Sequence, residues 1–197
     1  MAKRVFDWLA SSLGLLLLAP VLVFLAVWIK LDSQGPVFFR QERVGLAGRT
    51  FKIHKFRTMV PDAEKRGLQI TVGTDGRITR VGHWLRKYKL DELPQLLDVW
   101  LGHMSLVGPR PEVPRYVAWY PADVREVVLS VRPGITDRAS IEFKDENEIL
   151  GRAADPHTAY VNEVLPIKLR YYVEYVNTRS LLGDMSLIFK TFISLVR

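Results

Sequence analysis

The sequence predicts an α+β protein, a small mixed domain of helices and a hairpin with an N-terminal re-entrant membrane helix and amphipathic surface helices. Three observations predict it. Residues 8–29 form a run of 22 without a charge, interrupted by Pro20. Residues 37–44 and 50–59 are strand-like and flank a turn containing Gly45 and Gly48. Beyond residue 80, apolar side chains recur at helical spacing, punctuated by Gly and Pro. A chain of 197 residues is long enough for one domain with a real core, or one domain plus an anchor. The division expected is an anchor over residues 1–30 and one integrated unit over 31–197.

As a helix the apolar run would measure about 33 Å, enough to cross a bilayer. Pro20 lies near its middle, where it deletes a backbone hydrogen bond and bends or breaks a helix. Both flanks are basic, Lys3 and Arg4 before, Lys30, Arg40 and Arg43 after, which favours both ends on the cytoplasmic side. A re-entrant segment kinked at Ala19–Pro20 satisfies both facts. A simple span and a cleaved signal peptide are the alternatives, although apolar sequence continues to Ile29 without a small-x-small cleavage site.

In the hairpin, alternation puts Phe51, Ile53, Lys55 and Arg57 on one face. Read alone, Lys55 and Arg57 are surface cations facing solvent or lipid headgroups. Residues 60–78, rich in charge and carrying Pro61, Gly67, Gly73 and Gly76, read as a loop with at most a short helix near 62–66.

Leu93, Leu96, Leu97, Trp100 and Leu101 are helically spaced, Pro94 suits only a first turn, and Gly102 ends the run. A helix therefore starts near Asp91 or Glu92, with two adjacent carboxylates at its positive end. Such an end favours ionised carboxylates and attracts phosphate, so Asp91 is either a helix cap or a nucleophile beside an anionic substrate. Arg86, Lys87 and Lys89 precede the pair, and Gly108-Pro109-Arg110-Pro111 follows the helix. Pro111 keeps Arg110 out of the α region, and a stiffly held guanidinium suits bidentate phosphate recognition, although an ordinary rigid loop has the same sequence. Further on, residues 113–120 and 123–131 read as short helices. Residues 160–175 and 182–196 alternate apolar and basic side chains, with Leu187, Ile188, Phe192 and Leu195 on a stripe that fits core packing or a membrane surface.

Composition narrows the chemistry. The chain has no cysteine, which excludes disulfides, thiolate nucleophiles and zinc–thiolate sites. His54, His83, His103 and His157 are too scattered to suggest zinc, and neither a P-loop nor a Gly-x-Gly-x-x-Gly turn is present. The net charge of +7 is lopsided, +10 over residues 1–89 and −3 over 90–197. A basic half of this kind serves nucleic acid, an anionic membrane or a phosphorylated substrate.

Leu-Asp-Glu-Leu-Pro-Gln-Leu at residues 90–96, Met-Ser-Leu-Val-Gly-Pro-Arg-Pro at 104–111, Arg-Pro-Gly-Ile-Thr at 132–136 and Lys-Phe-Arg-Thr-Met at 55–59 together resemble the bacterial sugar transferases known as monotopic phosphoglycosyl transferases. The similarity runs from about Val5 to about Phe192. It implies a catalytic domain on the cytoplasmic face of the bacterial inner membrane that moves a sugar 1-phosphate from a UDP-sugar to polyprenyl phosphate. Asp91 would attack the β-phosphate, UMP would depart, and the lipid phosphate would take the sugar phosphate from the aspartyl intermediate. Mg²⁺ is implied as cofactor, with Asp91 and Glu92 as its protein oxygens, and Glu92 as ligand or base. Lys55, Arg57, Arg86, Arg110 and Pro111 are implied around the substrate. Relatives often carry an Arg where this chain has Lys144, the candidate cation there. Membrane lipids are expected partners and nucleic acid is not; a homodimer is compatible with the sequence. Two rival readings are a membrane-tethered binding or scaffold protein and a glycosyl transferase that releases UDP.

Overall fold

The structure is a computed structural model that describes residues 1–63, 75–143 and 150–196. Helix α1 (Ala2–Asp32) is a single element that continues through Pro20. The chain therefore stays helical on both sides of Pro20, which lacks the N–H for the usual backbone hydrogen bond. Ala19 and Pro20 are exposed at mid-helix, as are Leu16, Leu17, Val21, Val23 and Phe24.

Both ends of α1 dock on the same body. Near the N-terminus Lys3 pairs with Asp184, Arg4 donates to the carbonyls of Val99 (2.6 Å) and Trp100 (2.9 Å), and the buried Asp7 accepts from Ser105 Oγ (2.8 Å) and Leu106 N (3.2 Å). Near the C-terminus Leu25 and Ile29 are buried with Phe56, Val81 and Leu85, and Asp32 accepts from Val81 N (3.1 Å).

The hairpin forms as expected. Strands β1 (Phe38–Phe39) and β4 (Lys55–Phe56) pair antiparallel, as do β2 (Glu42–Val44) and β3 (Thr50–Lys52), and Phe38↔Phe56 continues the register of Val44↔Thr50. Ala47, at φ 55°, and Gly48, at φ 75°, close the turn. Met59 bridges to Ile78 across residues 60–77, and the short helix expected near 62–66 falls mostly outside the described residues.

Helix α2 (Arg80–Lys87) is capped by Thr79 Oγ1, which accepts from Gly82 N at 3.0 Å. A Cβ on Gly82 would lie 2.1 Å from the Thr58 carbonyl oxygen, so glycine is what lets α2 seat on the end of the hairpin. A 3-10 turn (Leu90–Glu92) and α3 (Gln95–Leu101) follow, with Gly102 ending α3 in the left-handed region at φ 87°. Strands β5 (Ser105–Val107) and β6 (Gly134–Thr136) pair parallel, and α4 (Pro114–Val117) and α5 (Ala122–Leu129) lie between them in the chain. The helix expected over 113–120 is thus a single turn. Helices α6 (Arg138–Glu142) and α7 (Pro156–Ala159), a π-turn (Tyr160–Val164), α8 (Leu165–Thr178) and α9 (Leu181–Val196) complete the chain.

The largest apolar cluster joins Tyr116, Val117, Tyr120 and Val128 to Leu150, Tyr160, Leu165, Leu169 and Tyr172. On α9, Leu187 and Ile188 are half-buried, whereas Phe192 is exposed together with Leu182, Met185, Phe189 and Ile193. The stripe is therefore not wholly core: α9 turns an apolar face outward, the form of an amphipathic surface helix.

Candidate active site

Asp91 and Glu92 sit in the 3-10 turn, just before α3. Neither caps a helix, and Lys89, two residues before Asp91, is left-handed at φ 54°, a conformation that costs a non-glycine residue roughly 1–2 kcal/mol. That kink, followed by Pro94 at the start of α3, lets the two adjacent carboxylates take different surroundings.

Glu92 collects the cations. Its Oε1 accepts from Lys55 Nζ at 2.7 Å and from Arg110, and its Oε2 accepts from Arg110 NH1 at 3.1 Å, a two-pronged pair. Asp91 is only 8% exposed; its Oδ2 lies 3.9 Å from Lys55 Nζ, and its Oδ1 is buried without a hydrogen-bond partner among the described residues. Arg86 on α2 donates from Nε to Thr58 Oγ1 (2.9 Å) and contributes its charge to Asp91.

Each cation is held by the fold. Lys55 follows His54, whose backbone N and ring Nδ1 both meet the fully buried Asp98 of α3 at 2.8 Å, fixing the hairpin to the helix that begins after Glu92. Arg110 rides on a zipper between two of the sequence motifs. Gly108 N donates to Thr136 O (3.1 Å), Gly134 N to Pro109 O (2.9 Å), and Ser105 N to Pro133 O (2.8 Å). Pro111 is buried, with its carbonyl accepting from Arg43 NH1 at 2.9 Å, and so stiffens the loop behind Arg110.

The charges respond to burial and to one another. Burial pushes Asp91 above the ordinary carboxylate value, Lys55 opposes this, and the Glu92 charge adds to it. Burial acts the same way on Glu92, but Arg110 and Lys55 outweigh it and hold Glu92 well below its ordinary value. Glu92 in turn holds Arg110 well above the usual guanidinium value. Burial lowers Lys55 against the pull of Glu92, and lowers Arg86 against that of Asp91.

The cluster thus brings together Lys55, Arg86, Asp91, Glu92 and Arg110. Arg57 is not part of it. Its side chain is buried and clamps the segment after α1, donating from Nε to Pro36 O (2.6 Å) and from NH2 to Ser33 O (2.8 Å). Lys144 lies outside the described residues. Sequence reasoning missed two supporting groups. One is the His54–Asp98 pair. The other is Glu112, buried behind Pro111, which accepts from Tyr160 OH (2.5 Å) and Lys168 Nζ (3.4 Å) with Arg43 at 3.9 Å. The available signal was an acid and a lysine embedded among apolar neighbours.

Among the described residues no group of three or more His, Cys, Asp and Glu is placed to hold a metal. Chemically, the cluster is a buried carboxylate with an open oxygen beside three cations, suited to attack on a phosphorus whose developing charge they would share.

Comparison with known proteins gives the family. A family model described as bacterial sugar transferase matches residues 1–197. The chain is 39% identical over 191 residues to a UDP-N-acetylgalactosamine-undecaprenyl-phosphate N-acetylgalactosaminephosphotransferase of Aeromonas hydrophila, covering 96% of this chain and 42% of that protein. It is 40% identical over 195 residues to an undecaprenyl-phosphate glucose phosphotransferase of Komagataeibacter xylinus, covering 96% and 35% respectively. A UDP-glucose:undecaprenyl-phosphate glucose-1-phosphate transferase of Caulobacter vibrioides is 38% identical over 196 residues, covering 98% of this chain and 69% of that protein. The chain therefore spans well under half of the first two relatives. With its motifs, charged cluster and full-length match in agreement, the chain belongs to the bacterial sugar transferase family.

Proposed function

We propose that this protein transfers a sugar 1-phosphate from a UDP-sugar to polyprenyl (undecaprenyl) phosphate through a covalent intermediate on Asp91. The observation that carries the reading is the buried Asp91, whose Oδ1 has no hydrogen-bond partner among the described residues, whose Oδ2 lies 3.9 Å from Lys55 Nζ, and which feels the charge of Arg86 beside a Glu92 bound to Arg110. The carboxylate oxygen forms a bond to the β-phosphorus, and the bond from that phosphorus to the bridging oxygen of UMP breaks. A phosphate oxygen of the lipid then attacks the same phosphorus, which releases Asp91 as a carboxylate. Lys55 and Arg110 hold the diphosphate, and Arg86 steadies Asp91. The donor set fits Mg²⁺, an ion that uses one or two carboxylates together with substrate phosphates; Asp91 and Glu92 would hold it. Bound there, it neutralises phosphate charge and the leaving UMP.

The reaction takes place at the cytoplasmic face of the bacterial inner membrane, as the first membrane step of glycan assembly. Supporting this, Lys3, Arg4 and Asp7 bind the same body as Leu25 and Ile29 while the residues around Pro20 are exposed, an arrangement that would keep both ends of α1 on one side of a bilayer. A straight span would carry the N-terminal contacts across the membrane.

The test is the order of product release. UMP should appear before any lipid acceptor is added, in a burst stoichiometric with enzyme, and intact-mass measurement should show a sugar-phosphate adduct. Asp91→Asn abolishes both. Strict dependence of UMP release on polyprenyl phosphate, with no adduct, would replace the covalent route by direct transfer; release of UDP would identify a glycosyl transferase.

A further inference from the structure

Both prongs of Arg110 and the ammonium of Lys55 are engaged by one internal group, Glu92. These are the donors that the transfer reading assigns to the substrate diphosphate, and the following inference rests on that reading. We propose that Glu92 is an internal anion that fills the phosphate-binding fork of the free enzyme, so that the site admits a diphosphate only when a divalent cation accompanies it. Glu92 is then a specificity-determining residue, rejecting metal-free nucleotides and free phosphate.

Three features carry this. Arg110 presents two parallel donors to the two carboxylate oxygens, the same fork that would meet two oxygens of a phosphate, so the two anions compete for one place. The backbone on either side of Arg110 is pinned, Pro109 to Gly134 and Pro111 to Arg43, so the root of the fork stays in place for both anions. Lys55, Arg86, Arg110 and Lys89, whose charge also reaches Asp91, face Asp91 and Glu92, a formal excess of two positive charges. A bare diphosphate carries at least that much negative charge and would cancel or reverse the excess beside two carboxylates in a buried setting, where like charges repel strongly. A divalent cation arriving with the diphosphate restores it. It also gives the Glu92 carboxylate a partner to exchange for Arg110, and the unpartnered Asp91 Oδ1 is a second open oxygen next door.

The experiment uses the full chain in detergent micelles and inorganic pyrophosphate as the probe, with calorimetric titration in EDTA and in Mg²⁺. In EDTA the wild type should bind pyrophosphate weakly, and Glu92→Gln about tenfold or more tightly, the gain expected when a charge-assisted competitor is removed. Mg²⁺ should strengthen wild-type binding far more than that of Glu92→Gln. Adding Arg110→Gln to Glu92→Gln should abolish the gain. Glu92→Ala serves as a second variant, and thermal melting verifies that each protein is folded. Equal pyrophosphate binding by wild type and both folded Glu92 variants in EDTA would overturn the proposal, as would a gain that survives loss of Arg110. Pyrophosphate binding by none of the proteins would overturn it too. UMP release by the wild type, measured separately, tests the transfer reading itself: normal release with no gain in the variants sinks the Glu92 inference alone, and a clear gain with no UMP release from any UDP-sugar sinks the transfer reading alone.

Discussion

Replacing Gly134 by alanine should break the part of the structure that aims Arg110. A Cβ at Gly134 would lie 2.0 Å from Gly108 N, 2.5 Å from Gly108 O and 2.7 Å from Gly108 Cα, all backbone atoms that no rotamer change can move away. The two segments must part, which strains Gly134 N→Pro109 O and Gly108 N→Thr136 O. Overpacking costs about 1–3 kcal/mol, and each of the two backbone bonds lost about 0.5–1.5 kcal/mol, for a total of about 2–6 kcal/mol. In a protein of this size that corresponds to a fall in melting temperature of roughly 4–24 °C. Activity should fall further than stability explains, because a shift of about 1 Å in a phosphate ligand costs on the order of a hundredfold in rate. Thermal unfolding followed by circular dichroism and UMP release at a temperature where the variant is folded measure the two effects. Gly76→Ala is the control, since nothing lies within 4 Å of its added Cβ. If Gly134→Ala melts within about 2 °C of wild type with full activity, the zipper does not set the position of Arg110.

Three further outcomes are expected. Arg110→Lys keeps the charge but loses the planar fork, and should reduce the rate of UMP release by about ten- to a hundredfold; activity within about twofold of wild type would put Arg110 outside the phosphate site. Glu112→Gln leaves Lys168 and Arg43 buried without their carboxylate and should cost about 3–5 kcal/mol at pH 7 in chemical denaturation. Burial raises Glu112, but Lys168 and Arg43 outweigh it and depress it below 4.5, so its contribution is fully present above that pH and fades as pH falls through the lower folded value. The gap between variant and wild type should therefore close in acid, and a gap independent of pH would contradict the assignment. Finally, cysteines introduced at Ala2 and near Gly35 should both resist an impermeant reagent applied outside intact cells; labelling of Ala2→Cys alone would make α1 a simple span.

The hairpin was legible because its strands alternate with period 2 around a glycine turn, and the register from Glu42↔Lys52 to Phe38↔Phe56 shows that reading at work. Helix α3 was legible from Leu96, Leu97, Trp100, Leu101 and Gly102 for the corresponding helical reason, although it begins at Gln95 and not near Asp91 or Glu92, which sit in a 3-10 turn. The parallel pair β5–β6 was not, because strands of three residues show no period and their partner lies 29 positions away. Arg57 shared a face with Lys55 by alternation, yet Arg57 N→Val37 O (2.8 Å) sets the residue beside the loop after α1, where open carbonyls capture its side chain. Asp91 and Glu92 were legible as a pair but not in their division of labour, since which carboxylate receives Lys55 and Arg110 depends on a left-handed Lys89 that no propensity announces.

The two-ended docking of α1 has a consequence for the proposed transfer to a lipid acceptor. Leu25 and Ile29 share an apolar cluster with Phe56, the neighbour of Lys55, and Leu90 and Leu93, which bracket Asp91 and Glu92, pack against the same cluster. The helix is thus mechanically continuous with Asp91. If, as proposed, it enters a bilayer and Asp91 is the nucleophile, its insertion depth would act as a ruler for the height of Asp91 above the acyl chains, and a polyprenyl phosphate, whose head group floats at a height set by its own tail, would meet the carboxylate at a fixed level. Bilayer thickness becomes a kinetic variable: in vesicles of increasing acyl length, the step that consumes the lipid should pass through an optimum, while UMP release from the water-soluble donor stays flat.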